Sequence, residues 1–207
     1  MSDVHEQMEH AEHVEHAAHS NKKIALVIAV LALFLAFSET LGKSAQTAAL
    51  SENIEASDLW NFFQAKTIRQ TVLRTAAEFK AIELAAITDA AAKAAMQKQI
   101  DTWNKTIDRY ETDPQSKEGR KELTERAQET EHRRDLNFAK YENYELASAA
   151  FQIGIVLASA SVITGMLALV YGAVGLGVVG LIFTGLGLFA PDTLEQIQHL
   201  FAAAGTH

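Results

Sequence analysis

LASAAFQIGIVLASASVITGMLALVYGAVGLGVVGLIFTGLGLFAP, residues 146–191, decides how this chain is read: it is a run of 46 residues without a single Asp, Glu, Lys, Arg or His. As one helix it would extend about 69 Å at 1.5 Å per residue, roughly twice the hydrocarbon thickness of a bilayer. The run must therefore fold back once. YGAVG at 171–175 is the expected turn, which gives one span at 149–171 and another at 173–190, the latter ended by Pro191 and Asp192.

Upstream lies a third apolar stretch, IALVIAVLALFLAFSETLG at 24–42, bracketed by Lys22, Lys23 and Lys43. With its flanks it makes a span over 22–43. A secretory signal peptide is the rival reading, and the long acidic segment before the apolar run argues against it. The expected class is all-α: an integral membrane protein with three transmembrane helices and a helical, coiled-coil-like stalk inserted between the first and second. The lipid bilayer is its first partner.

Small residues inside the spans recur at spacings of four and three. They are Ala25, Ala29, Ala32 and Ala36 in the first span, then Gly154, Ala158, Ser161, Gly165, Ala168 and Gly172 in the second. In the third they are Ala173, Gly177, Gly180, Thr184 and Gly187. Lipid offers helices no hydrophobic reason to associate, so close backbone approach along small-residue seams supplies the packing. The plainer alternative is that Gly and Ala are simply common in such helices. Three seams in one register favour packing, within the chain or between copies in a homo-oligomer, or against an unidentified membrane partner.

Residues 44–148 form the inserted domain, with one proline, Pro114, and one glycine, Gly119, among abundant Ala, Glu, Lys, Gln and Leu. This is helix composition. Ile68, Val72, Thr75, Phe79, Ile82 and Ala86 repeat at four and three, and Ile100, Trp103, Ile107 and Tyr110 continue a helical stripe. DPQSKEG at 113–119 breaks the pattern, after which Leu123, Ala127, Phe138, Tyr141 and Tyr144 lead into the second span. A hairpin turning only at Pro114 would have one arm of about 100 Å and another of about 45 Å. Either the first arm bends near 88–95 or residues 44–60 lie along the membrane.

Two segments carry a family resemblance. SDLWNFFQAKTIRQ at 57–70, shortly after a span ending SETLGKSAQTA, and YENYE at 141–145 before the last two spans resemble a bacterial membrane-protein family known only as a domain of unknown function, numbered 4337. The resemblance implies a bacterial inner-membrane protein with this arrangement of spans. It implies no activity.

Chemistry has one candidate, the acidic, His-rich tail at 1–21. His10, His13, His16 and His19 recur every three residues among Glu6, Glu9, Glu12 and Glu15. Imidazole and carboxylate ligate Zn, Ni or Cu(II), and residues three apart on a helix are neighbours. A metal-handling accessory is one reading of this tail, and a solvated tail is the plainer one. No nucleotide-binding, hydrolase or zinc-protease fingerprint is present, so no enzyme and no cofactor are expected. Ser159, Ser161, Thr164 and Thr184 are the polar side chains deep in the last two spans, whereas ion paths usually need ionisable groups. Fifteen basic against eighteen acidic residues over 44–150, and a net charge of −8, leave no basic field for nucleic acid.

Lys43, Arg133, Arg134 and Lys140 outnumber Lys22 and Lys23, so the positive-inside rule places the stalk in the cytoplasm. The final residues, 191–207, read as a short amphipathic helix using Leu194, Ile197, Leu200 and Phe201. The expected function is a non-catalytic, membrane-anchored scaffold that self-associates through its seams and presents a helical stalk.

Overall fold

A computed structural model gives the backbone of residues 2–193 and the side chains of residues 22–193. Among the described residues four helices follow in order: α1 (Ser2–Ala86), α2 (Ala90–Glu111), α3 (Arg120–Thr164) and α4 (Leu167–Phe189). No strand occurs among the described residues. The chain divides into two compact units, Met1–Ala48 with Leu136–His207, and Ala49–Asp135.

The first unit is built from parts of α1 and α3 together with α4, and each of these helices is long and apolar enough to cross a membrane. Ile24 and Leu31 of α1, Ala147, Phe151 and Ala158 of α3, and Ala173 of α4 form its core, with Phe34 stacked on Phe151 at 6.0 Å. The outward faces are apolar as well: Leu26, Leu33, Ile153, Val156, Ile163, Val178 and Ile182 are all exposed. In a water-soluble bundle those side chains would be the core. Glycine and alanine around a few large residues inside, with branched residues outside, is a pattern that suits helices touching closely and facing hydrocarbon.

The turn between α3 and α4 corrects the expected one at 171–175. It is made by Gly165 and Met166, with Gly165 at φ +69°, a left-handed conformation that an L side chain resists. Gly165 N–H donates to Ser161 O at 2.9 Å, closing α3, and Thr164 Oγ1 donates back to Ala160 O at 2.9 Å as hydroxyls in apolar helices do. Tyr171, Gly172 and Gly175 are instead inside α4. Glycine is tolerated in an apolar helix, so a glycine cluster there does not identify the break, whereas a required positive φ does.

The second unit resolves the mismatch of arm lengths by a bend. α1 ends at Ala86, three residues intervene, and Asp89 caps α2 by accepting a hydrogen bond from Ala92 N–H on Oδ2 at 2.9 Å. Ile100 and Ile107 of α2 are buried, and Leu59 of α1 packs with Leu123 and Ala127 of α3 beside Trp60 and Phe63. Trp60 donates Nε1–H to Glu131 Oε1 at 2.9 Å and meets Phe63 edge-on, so these aromatics pack within the unit.

The repeat from Ile68 to Ala86 requires a correction as well. Its members are exposed, and the face of α1 that enters this unit holds Ala56, Leu59, Lys66, Gln70 and Ala77. Both rows have helical spacing. Lys66 and Gln70 can be buried because α2 and the 112–120 connection supply aromatic faces and polar partners for them.

The 113–119 breaker is a tight connection. Asp113 Oδ1 accepts from Ser116 N–H at 3.2 Å, Glu122 Oε2 accepts from Asp113 N–H at 3.2 Å, and Lys117 takes φ 55°. The Ser116 hydroxyl and amide hold the Asp113 carboxyl below its ordinary range. A Cβ on Gly119 would run into the Asp113 amide nitrogen and lie 2.8 Å from Thr112 Cα, both backbone atoms. Gly119→Ala is therefore expected to cost about 1–3 kcal/mol, as overpacking of a rigid site does, read as a lower thermal midpoint of the second unit.

Candidate functional site

The first unit is held by bulky side chains seated on glycines. Leu31 of α1 lies against both Gly154 of α3 and Gly177 of α4, where an added Cβ would stand 3.2 Å and 2.8 Å from its methyls. The Phe151 ring covers Gly180 at 2.6 Å and the Tyr144 ring covers Gly187 at 2.7 Å by the same measure. Each glycine is a hole and each large residue a knob. Large residues fill most of the seam, and Gly154 also lies against Ala173, where an added Cβ would stand 3.2 Å from the Ala173 carbonyl oxygen.

The seams divide accordingly. Ala173, Gly177, Gly180, Thr184 and Gly187 are the buried residues of α4. Gly154, Ala158 and Ser161 are buried in α3, while Gly165, Ala168 and Gly172 are exposed, because Gly165 forms the turn and the other two then belong to the outer side of α4. Ala25, Ala29, Ala32 and Ala36 are exposed along their whole length, since α1 turns Ile24, Leu31, Ser38 and Gly42 inward instead. A row of alanines gives no knob for the glycine holes of α4, and the larger residues of α1 fit them.

One end of the unit is polar. Buried Ser38 donates its hydroxyl to Tyr144 O at 3.1 Å, joining α1 to α3. Asn143 donates Nδ2–H to Ala139 O at 2.8 Å and to Pro191 O at 3.1 Å, tying α3 to the end of α4. Its Oδ1 is buried without a hydrogen-bond partner among the described residues. Gln152 donates to Glu39 Oε1 at 3.4 Å across the mouth of an open cleft of about 420 Å³. Glu39, Lys43, Gln46, Tyr141, Glu145 and Ser148 also line this cleft. Its charged groups are exposed, and Glu39 meets an amide. The cleft combines residues from two helices far apart in the chain.

The second unit has its own polar cluster. Arg120 Nη1 donates to Gln70 Oε1 at 2.7 Å and to Glu111 Oε2 at 2.8 Å, with its guanidinium 4.9 Å from the Phe63 ring centre. Gln70 Nε2 donates to the same Glu111 oxygen at 3.1 Å and to Ile107 O at 3.3 Å. The Gln70 bond first, opposed by partial burial and aided by Arg120, holds the Glu111 carboxyl below its ordinary range. Lys66 sits 5.1 Å from the Phe62 ring centre, 5.3 Å from that of Tyr110, and 3.6 Å from Glu118. Each charge has an opposite charge or an aromatic face, the arrangement of a structural clasp.

Among the described residues, no three His, Asp or Glu side chains gather as metal ligands. His10, His13, His16 and His19, and the 194–207 segment with Leu194, Ile197, Leu200 and Phe201, lie outside the residues whose side chains are described.

Comparison with known proteins gives one finding. The model of the family described as "Domain of unknown function (DUF4337)" matches residues 20–190, which takes in the described part of both units almost to its ends. No curated protein and no solved structure matches the chain.

Proposed function

This chain belongs to the DUF4337 family, a domain of unknown function, and from that premise we propose that it is a non-catalytic, membrane-anchored helical scaffold. The observation that carries the reading is the inversion in the first unit: glycine and alanine at the helix contacts, with Leu, Ile and Val over the outer surface of three span-length helices. Such a surface is stable in hydrocarbon and aggregates in water. The second unit carries charge on most of its turns and belongs in the aqueous phase. On this reading the first unit is an anchor in a bacterial inner membrane, and the second is the surface that meets partners, on the cytoplasmic side where the Lys and Arg near the spans place it.

The test is extraction. The full chain should remain with the membrane through salt and alkaline washes, dissolve in mild detergent and give a native mass that is a multiple of the chain. A folded, dispersed monomer in detergent-free buffer would sink the proposal. Metal measured on the same sample, with and without residues 1–19, separates scaffold from metal accessory: one bound ion per chain, lost with that segment, would replace the first reading by the second. Single cysteines in this cysteine-free chain, labelled from either side, report the orientation.

A further inference from the structure

α1 carries two rows of side chains through the second unit, on opposite faces. One row enters the unit, as described above. The other holds Ile68, Val72, Thr75, Phe79 and Ile82, and its four large apolar members are 61–72% exposed. The outer row is the more apolar of the two, since the inner one includes Lys66, Gln70 and Ala77. α2 and α3 pack on the inner face and leave the outer one bare.

We propose that this bare stripe pairs with the same stripe on a second copy of the chain, as a short coiled coil. The inference rests on the scaffold reading and names its contact surface. Lipid is a poor occupant, because Arg69, Glu78 and Glu83 flank the stripe and burying them in hydrocarbon is costly. The four–three spacing is the pattern that knobs-into-holes packing of another helix requires, which sets aside a strand or an irregular loop as partner. The charges make the surface complementary to itself: Arg69 and Glu83 occupy the same flank two heptads apart, so antiparallel alignment about Ala76 brings Arg69 of each copy to Glu83 of the other. The stripe offers roughly 500 Å² of apolar surface per copy, so a pair buries about 1,000 Å², the lower bound of a specific interface.

The test uses the full chain in mild detergent. With Thr75→Cys as the single thiol, a short bifunctional maleimide should give covalent dimers, and Arg74→Cys, an exposed position away from the stripe, should not. Adding Phe79→Glu to the Thr75→Cys chain should lower dimer yield by about tenfold or more while leaving its helix content unchanged, because Phe79 is exposed in the single chain. Thr75→Cys yield no greater than that of Arg74→Cys, or yield that survives Phe79→Glu, overturns the proposal. Native mass separates the two levels of the argument. A multimer whose Thr75→Cys form does not cross-link leaves the scaffold standing and removes this stripe from it; a monomeric wild-type chain removes both.

Discussion

Gly180→Leu is expected to dismantle the packing of the first unit. The position faces the Phe151 ring, and even the Cβ would stand 2.6–2.9 Å from three of its carbons, so the ring has to leave its place. Phe151 is fully buried and stacks on Phe34, and its displacement takes the α1 contact with it. Overpacking and the lost contacts together set an expected cost of about 3 kcal/mol or more, most of it van der Waals packing when detergent covers the apolar outer face. The measurement is the thermal midpoint of detergent-solubilised protein, with protease sensitivity as a second readout. Gly175→Leu is the control: that residue is also a glycine of α4, but a Cβ there meets nothing within 4 Å. It should be almost silent. Equal damage from both would mean that glycine acts through helix propensity and not as a hole.

The second large effect is expected from Arg120→Met. The substitution keeps much of the length over Phe63 and removes the donor shared by Gln70 and Glu111. Buried Gln70 then has an unsatisfied oxygen, and Glu111 loses its cation. An estimate of about 2 kcal/mol covers the broken charge-assisted bonds, discounted because Glu111 is partly exposed. For a unit of this size that is a fall in midpoint on the order of 10 °C.

Acid should act on the same cluster, with a determinate sign. Because folding lowers the Glu111 pKa, its contribution to stability is fully present above the carboxyl's unfolded value and is lost as pH falls through the lower folded value. The window is therefore below about pH 4. Glu111→Gln should flatten the acid limb of the stability profile of the second unit. An acid limb identical to wild type would show that Glu111 is not held by Gln70 and Arg120 in solution.

Of the residues in these predictions sequence alone marked Gly180 and did not mark the polar cluster. Gln70, Glu111 and Arg120 sit 41, 9 and 50 positions apart in pairs, and no local pattern marks three polar residues that converge from three helices. Gly180 was visible as one of a small-residue row, but what fills it was not, because a seam has the same spacing whether it faces alanine, phenylalanine or lipid. The Glu39 cleft is similar: one carboxylate near a span end is conspicuous, and the Tyr144, Ser148 and Gln152 that share the cleft come from a helix about a hundred residues later.

Composition and periodicity by themselves determined the helical class, the three stretches able to cross a bilayer, the breaker at 113–119 and the existence of two units of opposite polarity. Those are local properties: charge-free length, helix propensity and turn chemistry act over a few residues. Tertiary structure alone decided that the chain reverses at Gly165, that the alanine row of α1 faces outward while Leu31 fills the glycines of α3 and α4, and that the Ile68–Ile82 row stays bare. A repeat of three and four states that a helix has a face. Which face is covered depends on the shapes and charges of helices distant in sequence, and that is settled only when they pack.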